Sequence, residues 1–267
     1  MSKRALIAMI LPVAIQAAIA SGYPAKGSAQ TTEEVVAKVL AARGGLEKVK
    51  AVHAQRITGV IYFNPELYGP FLAEFKRPGK MHNEVTIQNK TVVRTFNGKD
   101  GGWVINPFVG KNTPEPMSAD DMKDAMNESD FDGPLVDAKE KGNVIELTGT
   151  EQVEGRDAYV LKVTHKDGQV SSYFFDAKTY LLAKWSGADT INGQVVTRET
   201  LYHDYREVNG LKFAFELVST SAGADDSQKI VVDKLEVDPQ IDDSHFEKPP
   251  TPSAVIPAPS PTPPGRR

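Results

Sequence analysis

The chain contains no cysteine among its 267 residues. That excludes disulfides, thiolate metal sites, a cysteine nucleophile and a lipid-modified N-terminal cysteine. Positive charge is also short: 31 Lys and Arg stand against 35 Asp and Glu, for a net charge of −4. Nucleic-acid binders concentrate Lys and Arg to track phosphates, so nucleic acid is not an expected partner. Beyond the N-terminus nothing approaches the ~18 consecutive apolar residues of a membrane-spanning helix. Catalytic signatures are missing too. There is no HExxH, GxSxG, GxGxxG or GxxxxGK[ST], and the five histidines (His53, His82, His165, His203 and His245) fall at different strand phases. Zinc or serine hydrolysis and nucleotide binding therefore have no visible apparatus. Asp130-x-Asp132-Gly133 has the opening of a calcium loop without its later ligands or terminal Glu, and reads as a turn between helices. No metal or cofactor is called for.

What is present begins with an address. Ser2-Lys3-Arg4 precedes a nearly unbroken apolar stretch, Ala5 to Ala20, followed by small-x-small sites at Ala18-Ile19-Ala20 and Gly27-Ser28-Ala29. This is the pattern of a secretory signal peptide over residues 1–29, cleaved after Ala29. An exported chain without cysteine fits the periplasm. At the other end, eight of the 18 prolines lie between Pro249 and Pro264. Such a segment favours extended polyproline II and cannot bury a core, so 249–267 reads as a disordered tail. The body between, about 30–248, shows no internal linker and no repeat.

Thr31-x-x-Glu34 is a capping box opening the helical pattern Val35, Val36, Val39, Leu40, which stops at Gly44-Gly45. A short helical turn, Leu46 to Val49, leads into strands. Ile57, Gly59, Ile61 and Phe63 share one face by alternation, as do Phe71, Ala73 and Phe75, and Met81, Asn83, Val85 and Ile87. Thr91 to Phe96 and Trp103 to Ile105 predict two more strands. Ser118-x-x-Asp121 caps a helix bearing Met122, Ala125 and Met126, and a second helix is expected after Gly133-Pro134. Strands then follow over 143–152, 157–165, 169–176, 179–186, 194–206, 211–220 and 228–237. Asp167-Gly168, Asn192-Gly193 and Asn209-Gly210 mark turns, and Asp225-Asp226 a solvated hairpin. The reading is mainly β with a helical insert: one strongly curved antiparallel sheet or an incomplete barrel of about 11 strands.

The aromatic and aliphatic positions on these strands allow two interpretations. Phe63, Phe71, Phe75, Trp103, Tyr173, Phe175, Trp185, Phe213 and Phe215 are able to point to the concave side, joined by Ile57, Ile61, Met81, Val85, Ile87 and Ile105. Ordinary core packing explains such alternation. The alternative is a lined cavity for acyl chains. Burying a chain of about 16 carbons at ~0.8 kcal/mol per CH₂ contributes about 12 kcal/mol before ordering costs. An unloaded carrier should therefore close its cavity, and the 118–126 helix, with the adaptable side chains of Met122 and Met126, is a candidate lid.

Several blocks resemble a known family. Phe75-Lys76-Arg77-Pro78-Gly79-Lys80, the run Phe96 to Pro107 around Asn97-Gly98 and Trp103, Leu147 to Arg156, Tyr205 to Leu211, and Val237 to Phe246 are similar to periplasmic outer-membrane lipoprotein-sorting proteins of the LolA/LolB-like superfamily. The resemblance spans about Val35 to Pro249 and rests mostly on turn and packing motifs. It implies an incomplete antiparallel β-barrel whose open concave side is covered by helices, with a hydrophobic cavity for acyl chains. It also implies cofactor-free carriage by a monomer: an acylated lipoprotein or lipid is taken up and passed on through transient contact with inner- and outer-membrane acceptor proteins. Arg56 and Arg94 both stand as positions for that family's cavity arginine. Relatives of this fold also sense displaced lipid or lipoprotein as envelope regulators, a second reading. A third, an envelope hydrolase using paired carboxylates, rests only on the number of acidic residues.

Overall fold

Thirteen antiparallel strands form one open sheet in the computed structural model, which describes residues 30–191, 194–221 and 227–250. The expected signal peptide, the tail beyond residue 250, the Asn192-Gly193 turn and the Asp225-Asp226 hairpin lie outside the described residues. The strands are β1 (Ala54–Tyr62), β2 (Tyr68–Lys76), β3 (Lys80–Ile87), β4 (Lys90–Phe96), β5 (Gly102–Asn106), β6 (Lys111–Pro116), β7 (Val144–Val153), β8 (Arg156–Thr164), β9 (Val170–Asp176), β10 (Leu182–Ile191), β11 (Gln194–Val208), β12 (Leu211–Ser221) and β13 (Ser227–Val237). Their spatial order runs β6-β5-β4-β3-β2-β1-β13-β12-β11-β10-β9-β8-β7. Almost every neighbour in space is a neighbour in sequence; only β1 beside β13 joins the two ends of the chain, making β1 and β13 central. The strand that the sequence pattern leaves out is β6, because it contains Pro114 and Pro116, which mark it as non-strand. An edge position tolerates them, since a proline there need not donate to a further strand.

Three helices lie on one face. In α1 (Thr32–Arg43), the Thr31 hydroxyl accepts from the Glu34 amide while the Glu34 carboxylate accepts from the Thr31 amide, as the capping box predicts. Val35 and Val39 are buried against Leu161 of β8 and Phe175 of β9. The helix ends at Gly44, whose backbone (φ 128°) packs so close to the Gly210 carbonyl that a side chain would collide with it. Val49 of α2 (Leu46–Ala51), with the following Val52, packs on Leu211 and Val136. Helix α3 (Ala119–Glu128) buries Ala125 against Phe75, Met81, Phe96 and Met117. The helix expected after Gly133-Pro134 is instead a succession of turns over 135–142. Lys141 fixes that segment by binding the Asp130 carboxylate (2.6 Å) and the Gly133 carbonyl (2.9 Å).

The opposite face carries polar side chains by simple alternation. Arg56 and Glu74 are direct cross-strand partners, with Arg56 Nε 2.6 Å from Glu74 Oε1. Glu74 is 1% exposed and also accepts from His245 Nδ1 at 2.7 Å. His245 belongs to a single 3-10 turn, Asp243–Phe246, that straps this face and buries Phe246 with Ala54 and Ile241. Lys76 and Lys80 hold the strap by pairing with Asp243 at 2.7 and 2.9 Å, and hold its carboxyl down to about 2.

Candidate functional site: an apolar cavity beneath helix α1

A cavity of about 400 Å³ lies between the sheet and the helical face. The sheet supplies its wall from both sides of the β1–β13 junction. Ile57, Phe71, Ala73 and Phe75 come from β1 and β2, and Ile230, Val232 and Leu235 from β13. Val232 and Leu235 are three apart and would face opposite sides of a regular strand. A β-bulge where the register slips between Thr58 and Gly59 turns both inward, as Ile57 meets Leu235 and Gly59 meets Val232. Gly59 permits the bulge: a side chain there would strike the Val231 carbonyl.

The same problem is solved differently on β11. The cross-strand pairs Tyr202–Leu217 and Tyr205–Ala214 both line the cavity despite their odd spacing. Asp204, between the tyrosines, adopts a left-handed φ of 51° that rotates the strand locally. Burial pushes both phenols well above their ordinary value, so the hydroxyls stay neutral. Tyr173, Phe175, Tyr180, Leu181 and Leu182 complete this side.

The cover consists of Val39, Leu40 and Arg43 from α1 and the segment Asp132–Leu135. Arg43 is the polar centre of the cover. One guanidinium nitrogen donates to the Phe131 carbonyl at 2.9 Å and the other to the Asp132 carbonyl. Burial lowers its pKa, opposed by the nearby Asp132 charge. The Asp132 carboxylate is held by Arg77, whose Nη2 lies 2.7 Å away and whose Nε donates to the Val52 carbonyl at 2.6 Å. The Arg77 guanidinium also sits 4.9 Å from the centre of the Phe131 ring. Two arginines thus tie the covering segment to α1 and to the β2–β3 turn.

Of the side chains expected at a cavity, Ile57, Phe71, Phe75, Tyr173, Phe175 and Phe213 line it. Phe215 is buried against Val232 and Leu235 and does not line the cavity, whereas its neighbour Ala214, the partner of Tyr205, does. Met81 and Met122 lie in the cluster under α3, which shares Phe75 with the cavity wall, and do not line the cavity themselves. Val85 faces Phe71 across β2 and β3 without reaching the cavity, and Ile61, Ile87 and Ile105 are buried elsewhere in the sheet. Phe63 is half-buried in the β1–β2 connection, and Trp103 on β5 lies beside the edge strand. Trp185 is the cross-strand partner of Tyr173 and does not itself line the cavity. Met126 is 48% exposed.

Helix α3 is accordingly not the cover of this cavity; it is latched over β3 and β4 by Glu128, which accepts from Arg94 at 2.9 Å and Asn83 at 2.6 Å. Neither arginine expected at the cavity reaches it: Arg56 is on the opposite face, and Arg94 is engaged with Glu128. The residue that does, Arg43, had a signal in the sequence. It continues the 36-39/40-43 spacing of the apolar stripe of α1, where a charged side chain is out of place unless it has a buried role.

The Asp130-x-Asp132 segment serves the loop, with each carboxylate bound by a basic side chain, and among the described residues no group of three or more His, Asp or Glu is placed to hold a metal. No helix among them is long and apolar enough to cross a membrane.

Neither a family model nor a curated protein matches the chain by sequence. Solved structures do match by shape. A DUF1329 family protein from Desulfovibrio piger is 13% identical, with a TM-score of 0.55 over 82% of this chain and 98% of its own. A putative outer membrane lipoprotein-sorting protein domain from Vibrio parahaemolyticus is 14% identical, at 0.52 over 82% and 96%. A LolA superfamily protein from Nitrosomonas europaea is 14% identical, at 0.50 over 82% and 99%. The open 13-stranded sheet with its helical cover thus shares its fold with these solved proteins, a LolA superfamily protein and a putative outer membrane lipoprotein-sorting protein domain among them.

Proposed function

We propose that the protein is a periplasmic carrier that receives an acyl chain of a lipoprotein or lipid in this cavity and passes it toward the outer membrane without covalent chemistry. The observation that carries the reading is an apolar space of about 400 Å³ walled by aromatic and aliphatic side chains where a solid core would close up. An apolar cavity of about 150 Å³ takes the six carbons of benzene, so 400 Å³ corresponds to on the order of sixteen carbons. That is one long acyl chain. The arginine-tethered segment 131–135 would open to admit it, and the monomer would meet membrane acceptors only transiently. The signal-peptide pattern of residues 1–29 supports export to the periplasm.

Native mass spectrometry of protein purified from its own envelope tests this reading. A mass increment matching an acylated species, lost on delipidation and regained on incubation with lipid, is the expected result. Protein that is uniformly bare, and that takes up no lipid under conditions in which a known carrier does, would overturn it.

A further inference from the structure

Where β10 leaves β11, the sheet has a split. Their ladder runs from Ile191↔Gln194 to Lys184↔Leu201 and stops, although β11 continues to Val208. Beyond that point the Tyr205 hydroxyl donates to the Leu182 carbonyl at 2.9 Å, across a gap with no ladder. A second cavity, of about 290 Å³, opens at this place. Leu181, Leu182, Tyr202 and Tyr205 line both it and the acyl cavity, so the apolar cavity adjoins one whose lining also carries Arg156, Asp176, His203 and Asp204.

The polar chamber has an asymmetric supply of hydrogen bonds. Its carboxylates are committed: Asp176 accepts from the Lys178 and Thr179 amides and the Thr179 hydroxyl at 2.8 to 3.1 Å, and Asp204 accepts from Arg206. Its cations are held only by long ion pairs. Arg156 lies 3.4 Å from Asp176 and 3.9 Å from Glu154, and His203 lies 3.7 Å from Glu154. These separations exceed hydrogen-bond length, so the guanidinium and imidazole N–H groups retain donor capacity. A guanidinium with spare donors suits a phosphate oxygen pair, while the nearby carboxylates balance an ammonium.

We infer that the chamber between β10 and β11 is a head-group site for a phosphate-bearing, single-chain lipid. The acyl chain lies in the apolar cavity, the phosphate meets Arg156 and His203, and the glycerol crosses the split beside Tyr205. On the same volume scale, 290 Å³ holds about a dozen non-hydrogen atoms, enough for a glycerophosphate. The inference rests on the carrier reading and narrows its cargo from any acyl chain to a phospholipid type.

The test is displacement of a fluorescent fatty-acid probe from the full-length mature protein by two lipids with the same 16-carbon chain. One is lysophosphatidylethanolamine and the other monoacylglycerol. Wild type is expected to bind the phosphate-bearing lipid at least tenfold more tightly. In Arg156→Gln/His203→Gln that ratio should fall below about threefold, and in Lys111→Gln, which alters a cation on the edge strand β6 that lines neither cavity, it should persist. Equal binding of both lipids by wild type would overturn the inference without needing any variant. So would a preference that survives the double substitution or vanishes with Lys111→Gln. Failure of both lipids and the probe to bind would instead remove the carrier reading, a distinguishable result.

Discussion

The Arg43 guanidinium spans from the end of helix α1 to the backbone carbonyls of Phe131 and Asp132, the first at 2.9 Å, and so fastens the covering segment to the helix. Hydrogen bonds from a charged donor contribute about 1.5–3 kcal/mol each, and carbonyls left unpaired under a helix add to the loss. Arg43→Ala is expected to destabilise the protein by roughly 2–4 kcal/mol on that basis. Residues 131–135 should also exchange amide hydrogens faster than the rest of the chain. Arg43→Lys should recover only part of this, since a compact ammonium lacks the planar fork of two nitrogens, each aimed at its own carbonyl. An unchanged melting temperature with unchanged exchange at 131–135 would show that the segment is held by packing alone.

The cavity wall makes a second prediction. Ala73 stands between Phe71 and Phe75 on the cavity face of β2. Ala73→Phe would place a ring into the space an acyl chain needs. Fluorescent fatty-acid binding should weaken at least tenfold while the melting temperature holds or rises, because the ring fills a void rather than displacing packed atoms. Binding unaffected by the substitution would place the lipid elsewhere.

Loading should stabilise the fold. A ligand bound only by the folded state adds about 2.7 kcal/mol at a hundredfold excess over its Kd. For a folded body of this size, each kcal/mol moves the midpoint by ~2–4 °C, giving roughly 5–11 °C. Differential scanning fluorimetry with a 16-carbon lipid reads this directly, and no shift at saturating lipid would oppose the proposal.

Tyr205 makes its own prediction. Tyr205→Phe removes the hydrogen bond to the Leu182 carbonyl and nothing else of size. The expected cost is about 1 kcal/mol, with faster amide exchange confined to the start of β10 and the adjoining part of β11. Exchange rising instead across the whole sheet would mean that the split is not a local feature.

Acid sensitivity has one identifiable source in His165, whose Nε2 lies 2.8 Å from the Ser171 hydroxyl. Burial holds its pKa below the ordinary 6.5, outweighing the opposing charges of Asp167 and Asp130. The unfolded chain therefore gains a proton before the folded one as pH falls. This contribution to stability is complete above about pH 6.5 and is lost below it. His165→Gln should accordingly lose less stability than wild type between pH 7 and pH 5 in thermal melts; parallel losses would exclude His165 as the cause.

Much of the architecture was legible residue by residue. The strands from β7 to β13 were expected to within two residues, because alternating β-branched and aromatic positions end at turns that mostly contain Gly; the exception is β10, expected at 179–186 and found at Leu182–Ile191. The capping boxes at Thr31 and Ser118 placed two helix starts. The errors have physical causes. β6 hid behind two prolines that an edge strand tolerates, and the segment after Pro134 looked helical by composition but is held in turns by Lys141. At the site, strict alternation found Ile57, Phe71, Phe75, Tyr173, Phe175 and Phe213 and failed at β11 and β13. There a left-handed Asp204 and a bulge opposite Gly59 change which side chains face inward.

The sequence by itself determined the antiparallel β-class, the helix starts and the faces of the regular strands, since each depends on neighbours within a few positions. Only the tertiary structure decided that the apolar faces enclose space instead of meeting, that Arg43 and not Arg56 or Arg94 lies at it, and that a polar chamber adjoins it through the β10–β11 split. Those outcomes depend on sheet curvature and on contacts between residues nearly ninety positions apart, as with Arg43 and Phe131, which local periodicity does not encode.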